Sequence, residues 1–223
     1  MNHKNTSIAA AAFATLALAL ACADAQAQMQ AASPDNVIKI GVTRYNSHSS
    51  TDGIHGIGVP AGADAKVGDA TTVIFVYERM VTPNVGVEFV LGVPPTIKAK
   101  ATGSVAFLGD DVLSARNVAP TLLFNYHFFT AADAFRPYLG AGINYTKFTN
   151  AKSKLASDVK LGDSYGLALQ AGVNYAITKD WGLFASVAHL DVKSKLVASG
   201  STVLTTTIDF NPWVYSIGGY WQF

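Results

Sequence analysis

The sequence predicts an all-β fold, namely an eight-stranded antiparallel transmembrane β-barrel with short periplasmic turns and long extracellular loops. Three observations predict it: eight segments alternate between apolar and polar residues, the connections alternate between short and long, and a small or polar face lies opposite each apolar face. The eight predicted strands are residues 36–47, 70–81, 84–93, 117–128, 136–148, 163–177, 181–195 and 203–223.

The clearest of these strands contains RPYLGAGINYT, residues 136–146. Leu139 and Ile143 fall on one side of it, and Gly140 and Asn144 fall on the other. This period of two predicts a strand, because successive strand side chains leave opposite faces. Small and polar residues cannot fill the dry interior of a soluble barrel, so we expect the apolar face to contact lipid and the wall to close.

The connections between the predicted strands sort by length. Short ones alternate strictly with long ones along the chain, and both termini lie on the short side. The short connections are residues 82–84, 129–135 and 178–180; the long ones are residues 48–69, 94–116 and 149–162, with a more modest loop at 196–202. This sorting is typical of bacterial outer-membrane barrels.

The first residues predict export. A short charged start precedes the apolar residues 8–21, and small residues follow, so we predict a signal peptide over residues 1–27, with cleavage near residue 25 or 27, and a barrel over 28–223. Cys22 raises the alternative of a lipoprotein signal, but Ala19 stands where that signal has Leu. Cys22 is the one cysteine, so the mature chain is expected to have no disulfide.

Composition excludes one class of partner. The net charge is +1 and 14% of the residues are charged, with no concentrated basic run. Phosphate recognition along a nucleic acid needs such a run, so we predict no nucleic-acid partner. We also predict no cofactor and no metal site, because the histidines His48 and His55 near Asp52 lie in a glycine-rich loop that is poorly suited to hold ligands in place.

The last predicted strand ends in an aromatic residue. Trp213, Tyr215, Ile217, Trp221 and Phe223 share one face of it. A terminal Phe closing such a strand resembles the assembly signal of outer-membrane proteins, and Trp and Tyr are typical of the membrane–water interface.

Several motifs together resemble one known family. They are RPYLGAGINYT at 136–146, Asp163-Ser164-Tyr165-Gly166 within 162–175, Ala119-Pro120-Thr121-Leu122, Asn211-Pro212-Trp213-Val214 and the terminal Phe. This combination is similar to the OmpW/AlkL family over essentially the whole mature chain. The resemblance implies an eight-stranded barrel and passive uptake of small hydrophobic molecules through the outer membrane. Tyr165, where the family commonly has Trp, and Ala119, where it often has Pro, depart from the pattern.

The alternation of side chains between the two faces of each strand, which we call parity, also predicts which residues line the lumen. The expected channel-lining residues are apolar residues on the inward face: Ile74, Val76, Val90, Phe184, Ala188 and Leu190. Such a lining suits an apolar solute, since each buried CH₂ contributes about 0.8 kcal/mol; plain interior packing is the alternative reading. Glu78, Glu88, Arg136 and Asn174 are expected to make the lower lumen polar.

A polar lower lumen suggests an exit through the wall. Pro94, Pro95 and Pro120 lie at the facing ends of two predicted strands. A proline withdraws one donor from a β-ladder, so we hypothesise a lateral seam here through which a solute reaches the outer leaflet. The alternative is that Pro94 and Pro95 simply begin a loop.

The long connections carry many lysines, and lipopolysaccharide phosphates are a predicted partner for them alongside membrane lipid. These lysines are Lys66, Lys98, Lys100, Lys152, Lys154, Lys160, Lys193 and Lys195. Ordinary solvated loop charges are the competing interpretation.

Two other functions compete with uptake. A surface receptor or adhesin would use the same barrel and loops. A lipid-modifying hydrolase would need Ser, His and an acid at one height, but His127, His189 and Asp191 form no such set by parity. We therefore predict no enzyme activity.

Overall fold

The computed structural model describes residues 35–199 and 203–223. The predicted signal peptide, residues 1–27, and its Cys22 lie outside the described residues. The described strands are β1 (Asn36–Asn46), β2 (Ser50–Thr51), β3 (Ala63–Val67), β4 (Ala70–Met80), β5 (Val85–Gly92), β6 (Thr96–Gly103), β7 (Leu113–Val118), β8 (Thr121–His127), β9 (Phe135–Ser153), β10 (Asp158–Leu161), β11 (Ser164–Ala176), β12 (Trp181–Leu190), β13 (Lys193–Ser199), β14 (Val203–Asp209) and β15 (Trp213–Gln222).

Eight of these strands form a closed antiparallel barrel, as predicted. Their order around the wall is β1, β4, β5, β8, β9, β11, β12 and β15, and β15 pairs again with β1. Gly41 of β1 faces Gly218 of β15 across the closing seam. A Cβ atom on Gly41 would clash with the carbonyl oxygen of Ile217, so glycine permits this close approach of the two strands.

The apolar side chains face outward. Ile143, Leu167 and Ile217 are 61%, 66% and 66% exposed, whereas the alternating Tyr138 and Asn144 are each only 2% exposed. The predicted orientation is therefore confirmed: the exposed apolar band is the surface that a bilayer would cover. Among the described residues, no helix is long and apolar enough to cross a membrane.

The long extracellular connections contain further strands that the sequence did not predict. The long connections contain β2, β3, β6, β7 and β10, and the modest loop is spanned largely by the ends of β13 and β14. β7, β6 and β3 extend the sheet from the upper half of β9, while β10, β13, β14 and β2 form a second ribbon. The reason is that these hairpins also bury alternate apolar side chains, so their ladders continue beyond the lipid band.

Three predicted strands are each divided in two. Segment 117–128 is interrupted at Ala119-Pro120, segment 181–195 at residues 191–192, and segment 203–223 at residues 210–212. In the last, Asn211 adopts a φ of +33° immediately before Pro212. Ladder pairing cannot run unbroken through such backbone, so the strand breaks there.

Candidate transport lumen

A cavity lies in the middle of the barrel, and all six predicted channel-lining residues contribute to its wall. Ile74 and Val76 come from β4, Val90 from β5, and Phe184, Ala188 and Leu190 from β12. All except Val90 are buried, and Val90 packs against the others. The cavity has a volume of about 40 Å³, which holds a few water molecules but no drug-sized ligand. A larger solute therefore requires side chains to move.

A second apolar cavity continues this one toward the extracellular side. It shares Tyr45, Ala119 and Leu190 with the first cavity and has a volume of about 30 Å³. The rings of Phe148 and Phe210 line it and stack with their centroids 5.0 Å apart. The two cavities together give the upper lumen a predominantly apolar lining, in which Thr43, Thr121, Ser186 and Ser216 contribute hydroxyl groups.

A buried layer of charged residues forms the floor of the upper lumen. Lys39 Nζ lies 2.7 Å from Glu88 Oε2 and 3.0 Å from Glu78 Oε2, and these side chains are 1%, 2% and 0% exposed. The same ammonium group lies 4.7 Å from the centre of the Tyr138 ring. Buried charges are stable only when they are paired in this way.

Further hydrogen-bond donors complete this layer. Glu78 Oε1 accepts hydrogen bonds from Asn125 Nδ2 at 3.0 Å and from His127 Nε2 at 2.7 Å. Glu88 Oε1 accepts one from Gln170 Nε2 at 2.9 Å. We call these five residues, together with Lys39, the ionic floor. They come from β1, β4, β5, β8 and β11, so the ionic floor joins five of the eight barrel strands.

Sequence reasoning located only part of this floor. Glu78 and Glu88 belong to it, but Arg136 and Asn174 lie below it and line a polar cavity of about 20 Å³ at the periplasmic end. Arg136 Nη2 donates to the carbonyl of Pro83. Lys39 was missed as the central cation, although it alternates with the outward Ile38 and Ile40 and therefore lies on the inward face of β1.

The strand pairing is interrupted beside the upper lumen, at the predicted seam. β5 and β8 pair up to Val90 and Thr121, and pairing resumes between β6 and β7 at Thr96 and Arg116. The chain advances six residues from Val90 to Thr96 but only five from Arg116 to Thr121, so the register shifts by one residue across the break. Between these points, Asn117 N donates to Pro95 O at 3.0 Å, and no other backbone hydrogen bond joins the two described chain segments. Val90, Ala119 and Thr121 line the lumen at this break.

The three prolines do not act alike. Val93 N donates to Val73 of β4, so alternation directs the backbone of Pro94 toward β8, where the proline has no N–H to donate. The carbonyl of Pro120 accepts from Tyr145 N of β9, so the donor that Pro120 lacks is directed at β9. We expected the missing donor of Pro120 to weaken pairing with β5. This is wrong, because that donor would point to β9 and not to β5. Pro120 nevertheless lies at the upper end of β8.

The histidines near Asp52 have a structural role. Asp52 Oδ1 accepts hydrogen bonds from Thr206 Oγ1 and Thr207 N, while His55 Nε2 lies 2.9 Å from the Asp52 carbonyl. These contacts tie the first outer loop to β14. Within residues 35–199 and 203–223, no three His, Cys, Asp or Glu side chains are grouped so that they could hold a metal ion.

The comparisons with known proteins agree with this geometry. The model of the OmpW family matches residues 32–223. The chain belongs to the OmpW family. Outer membrane protein W of Vibrio cholerae serotype O1 is 29% identical over 197 residues, which cover 85% of this chain and 88% of that protein. The crystal structure of the outer membrane protein OprG from Pseudomonas aeruginosa superposes with a TM-score of 0.79 at 27% identity and covers 86% of this chain and 96% of that chain.

A further relative is named for the metabolism of an apolar compound. The dibenzothiophene metabolism operon protein PahQ of Pseudomonas aeruginosa is 28% identical over 148 residues, covering 66% of this chain and 67% of that protein. The OmpW-family protein described here is accordingly an outer-membrane β-barrel, located in the bacterial cell outer membrane.

Proposed function

We propose that this OmpW-family protein is a channel for passive uptake of small hydrophobic molecules, with lateral release into the outer membrane. One observation carries the proposal: an apolar upper lumen ends at a buried ionic floor, and the wall beside that lumen is interrupted between β5 and β8. A solute in the upper lumen thus has an apolar surface on its sides and a charged layer beneath it.

The floor opposes straight passage of an apolar solute. Passage would require separating Lys39 from Glu78 and Glu88, leaving charges buried without partners, which costs several kcal/mol per ion. The apolar solute could offer those charges no hydrogen bond in return. The seam imposes a smaller barrier, since only one backbone hydrogen bond spans it within the described residues.

The chemistry of the upper lumen selects against polar solutes. Val76, Val90 and Phe184 would contact a solute just above the floor. Burial against them favours apolar groups by about 25 cal/mol per Å², whereas a charged solute would lose its hydration without replacement. The name of the relative PahQ supports an apolar solute class.

A reversible cross-link across the seam tests this proposal. Extending the register beyond Val90 and Thr121 places Gly92 opposite Ala119, so Gly92→Cys with Ala119→Cys allows a disulfide to close the break. The control is Ala185→Cys with Ile217→Cys, a pair on the intact β12–β15 ladder. Uptake of an apolar fluorescent aromatic compound is measured in cells before and after reduction.

We expect oxidation of the seam pair to lower uptake at least fivefold, toward the rate of cells without the protein, and reduction to restore it. The control pair should transport equally in both states. Unchanged uptake with the seam cross-link fully formed would disprove lateral release.

A surface-binding role is the second candidate. Ile57 and Phe107, at tips of the outer connections, are 85% and 80% exposed, which is unusual for side chains that serve only the barrel. The same assay separates the two functions, because equal uptake by cells with and without the protein would favour a surface receptor or adhesin.

A further inference from the structure

The outward side of the extracellular sheet carries a cluster of cations. We call it the basic face; its residues are Lys66 on β3, Lys98 and Lys100 on β6, Arg116 on β7, and Lys147 and Lys152 on β9, all exposed. Cross-strand neighbours share a face, and the pairing places these residues together: Lys66 opposite Lys100, Lys98 opposite Ser114, and Ser114 opposite Lys152.

A β-bulge brings the last lysine onto this face. Lys147 and Lys152 are five residues apart, and an odd spacing in a regular strand puts two side chains on opposite faces. The register between β7 and β9 shifts between Ser114 and Arg116, and Asn150 adopts a φ of +51°. The extra residue restores Lys152 to the outward side.

The cations of the basic face are poorly neutralised by the protein. Lys98 pairs with Asp111 at 2.8 Å, but within the described residues Lys66, Lys100, Arg116, Lys147 and Lys152 form no ion pair. The nearby carboxylate of Asp64 accepts from Thr51 Oγ1 and Ala65 N. Lys66 and Lys100 directly oppose each other, an arrangement that destabilises a sheet unless an anion bridges the two charges.

The second ribbon, formed by β10, β13, β14 and β2, has a different balance of charges. Its lysines are Lys160, Lys193 and Lys195; the first pairs with Asp158 and the second with Asp209, each at 3.6 Å. Among the described residues, Lys195 is the one lysine of this ribbon without an ion pair, compared with five unpaired cations on the basic face, so most of the excess positive charge lies on the basic face.

The basic face lies immediately above the lipid-facing band. On β9 the exposed Ile143 is followed by Tyr145 and then Lys147, about 13 Å further along the strand at ~3.3 Å per residue. The rings of Tyr145 and Tyr165 pack in a tilted arrangement with centroids 4.7 Å apart, and Tyr165 is 81% exposed, as at a membrane–water interface. Lys147 thus lies at the height of the outer-leaflet headgroups, and the other cations of the basic face lie above it.

We infer that the basic face binds the phosphorylated headgroup of an outer-leaflet glycolipid, the lipid A part of lipopolysaccharide. Lys66 and Lys100 together offer one phosphate position at the upper end of the face, and Arg116 and Lys147 lie lower, toward the lipid-facing band. The complementarity is electrostatic, so binding requires the lipid phosphates and weakens with salt. This inference is independent of the proposed uptake function.

The test compares two charge-matched triple variants of the full chain in neutral detergent micelles, with bound lipid counted by native mass spectrometry. One variant combines Lys66→Gln, Lys100→Gln and Lys147→Gln on the basic face. The control combines Lys160→Gln, Lys193→Gln and Lys195→Gln on the opposite ribbon. The probes are bisphosphorylated lipid A and the same lipid with both phosphates removed.

We expect the basic-face variant to bind bisphosphorylated lipid A at least tenfold more weakly than the parent chain, and the control variant to stay within twofold of it. A Lys→Arg version of the basic-face triple should keep parental binding, which separates loss of charge from loss of folding. The dephosphorylated lipid should bind the parent at least tenfold more weakly. Equal losses in the two triple variants, or equal binding of the two lipids by the parent, would overturn the inference.

Discussion

Lys39 Nζ lies 2.7 Å from Glu88 Oε2 at a level of the barrel where both side chains are almost fully buried. The pair joins β1 to β5 over the inner face of β4, and its layer separates an apolar upper part of the interior from a polar periplasmic part. This one contact thus stabilises the barrel and, in the proposed function, directs an apolar solute sideways.

Removing the central cation should destabilise the barrel. Lys39→Met leaves Glu78 and Glu88 buried without their positive partner, and breaking one partner of a buried ion pair costs about 3–5 kcal/mol. The free energy of unfolding, measured by urea titration in micelles, should fall by this amount. Adding Glu78→Gln and Glu88→Gln should recover at least half of the loss, because the neutral amides need no cation. An unchanged midpoint for the single variant would contradict the role of the ionic floor.

A charge in the upper lumen should block uptake without disturbing the lipid-facing surface. Val90→Asp places a carboxylate against the proposed solute path, and an apolar solute would have to desolvate it. We expect at least a tenfold loss of uptake of the fluorescent aromatic compound. Val90→Thr has nearly the same shape and no charge, so its loss should stay below threefold. Similar rates for Val90→Asp and the parent would argue for plain interior packing.

Substitution of the two prolines at the seam should affect uptake differently, because their backbones face different neighbouring strands. Pro94→Ala supplies an N–H directed at β8, and a new hydrogen bond of about 1 kcal/mol favours a closed ladder; we expect a two- to fivefold lower uptake rate. Pro120→Ala supplies an N–H directed at β9 and should leave uptake unchanged while slowing amide exchange in β9. If Pro120→Ala lowered uptake as much as Pro94→Ala, the hydrogen-bond directions would not govern the seam.

The first outer loop should detach in acid. The Thr207 N–H, and then the Thr206 hydroxyl, hold the pKa of the Asp52 carboxyl below its ordinary value. A lowered folded-state pKa contributes stability that is complete above the ordinary carboxyl pKa of about 4 and is lost as the pH falls through the lowered value.

Limited proteolysis of the loop containing Asp52 measures this detachment. Cleavage should be slow at pH 7 and accelerate below about pH 4, while Asp52→Asn should already be cleaved faster at pH 7, because the amide accepts the two hydrogen bonds less strongly. A cleavage rate in the parent chain that does not change with pH would contradict the anchoring role of Asp52.

Alternation along the sequence was sufficient to predict the barrel and the residues that face its interior. The period of two assigns each side chain to one face of its strand without any knowledge of which strands pair. It could not identify the ionic floor. Lys39 meets Glu88 across 49 residues of sequence, and that meeting depends on the stagger of the closed barrel. The sequence assigned Arg136 to the polar lower lumen together with Glu78 and Glu88, but it could not separate Arg136, which lines the periplasmic cavity, from the ionic floor above it.

The extensions above the membrane escaped prediction for a different reason. Glycines, prolines and bulges interrupt the alternation there, as at Asn150, where one extra residue reverses the parity of everything that follows in β9. A prediction that depends on unbroken alternation therefore assigns such segments to loops. It also assigns some cations of the basic face to the inward side of the wall and others to the outward side.

The most direct test of the central claim is the position of a bound solute. Anomalous diffraction from crystals of the protein grown with a brominated aromatic hydrocarbon would locate the bromine atom. We predict that it lies above the ionic floor, in contact with Val90 and Phe184 and toward the break beside Ala119. A bromine in the periplasmic cavity beside Arg136 and Asn174 would show that the solute passes the Lys39–Glu88 pair, and would contradict lateral release.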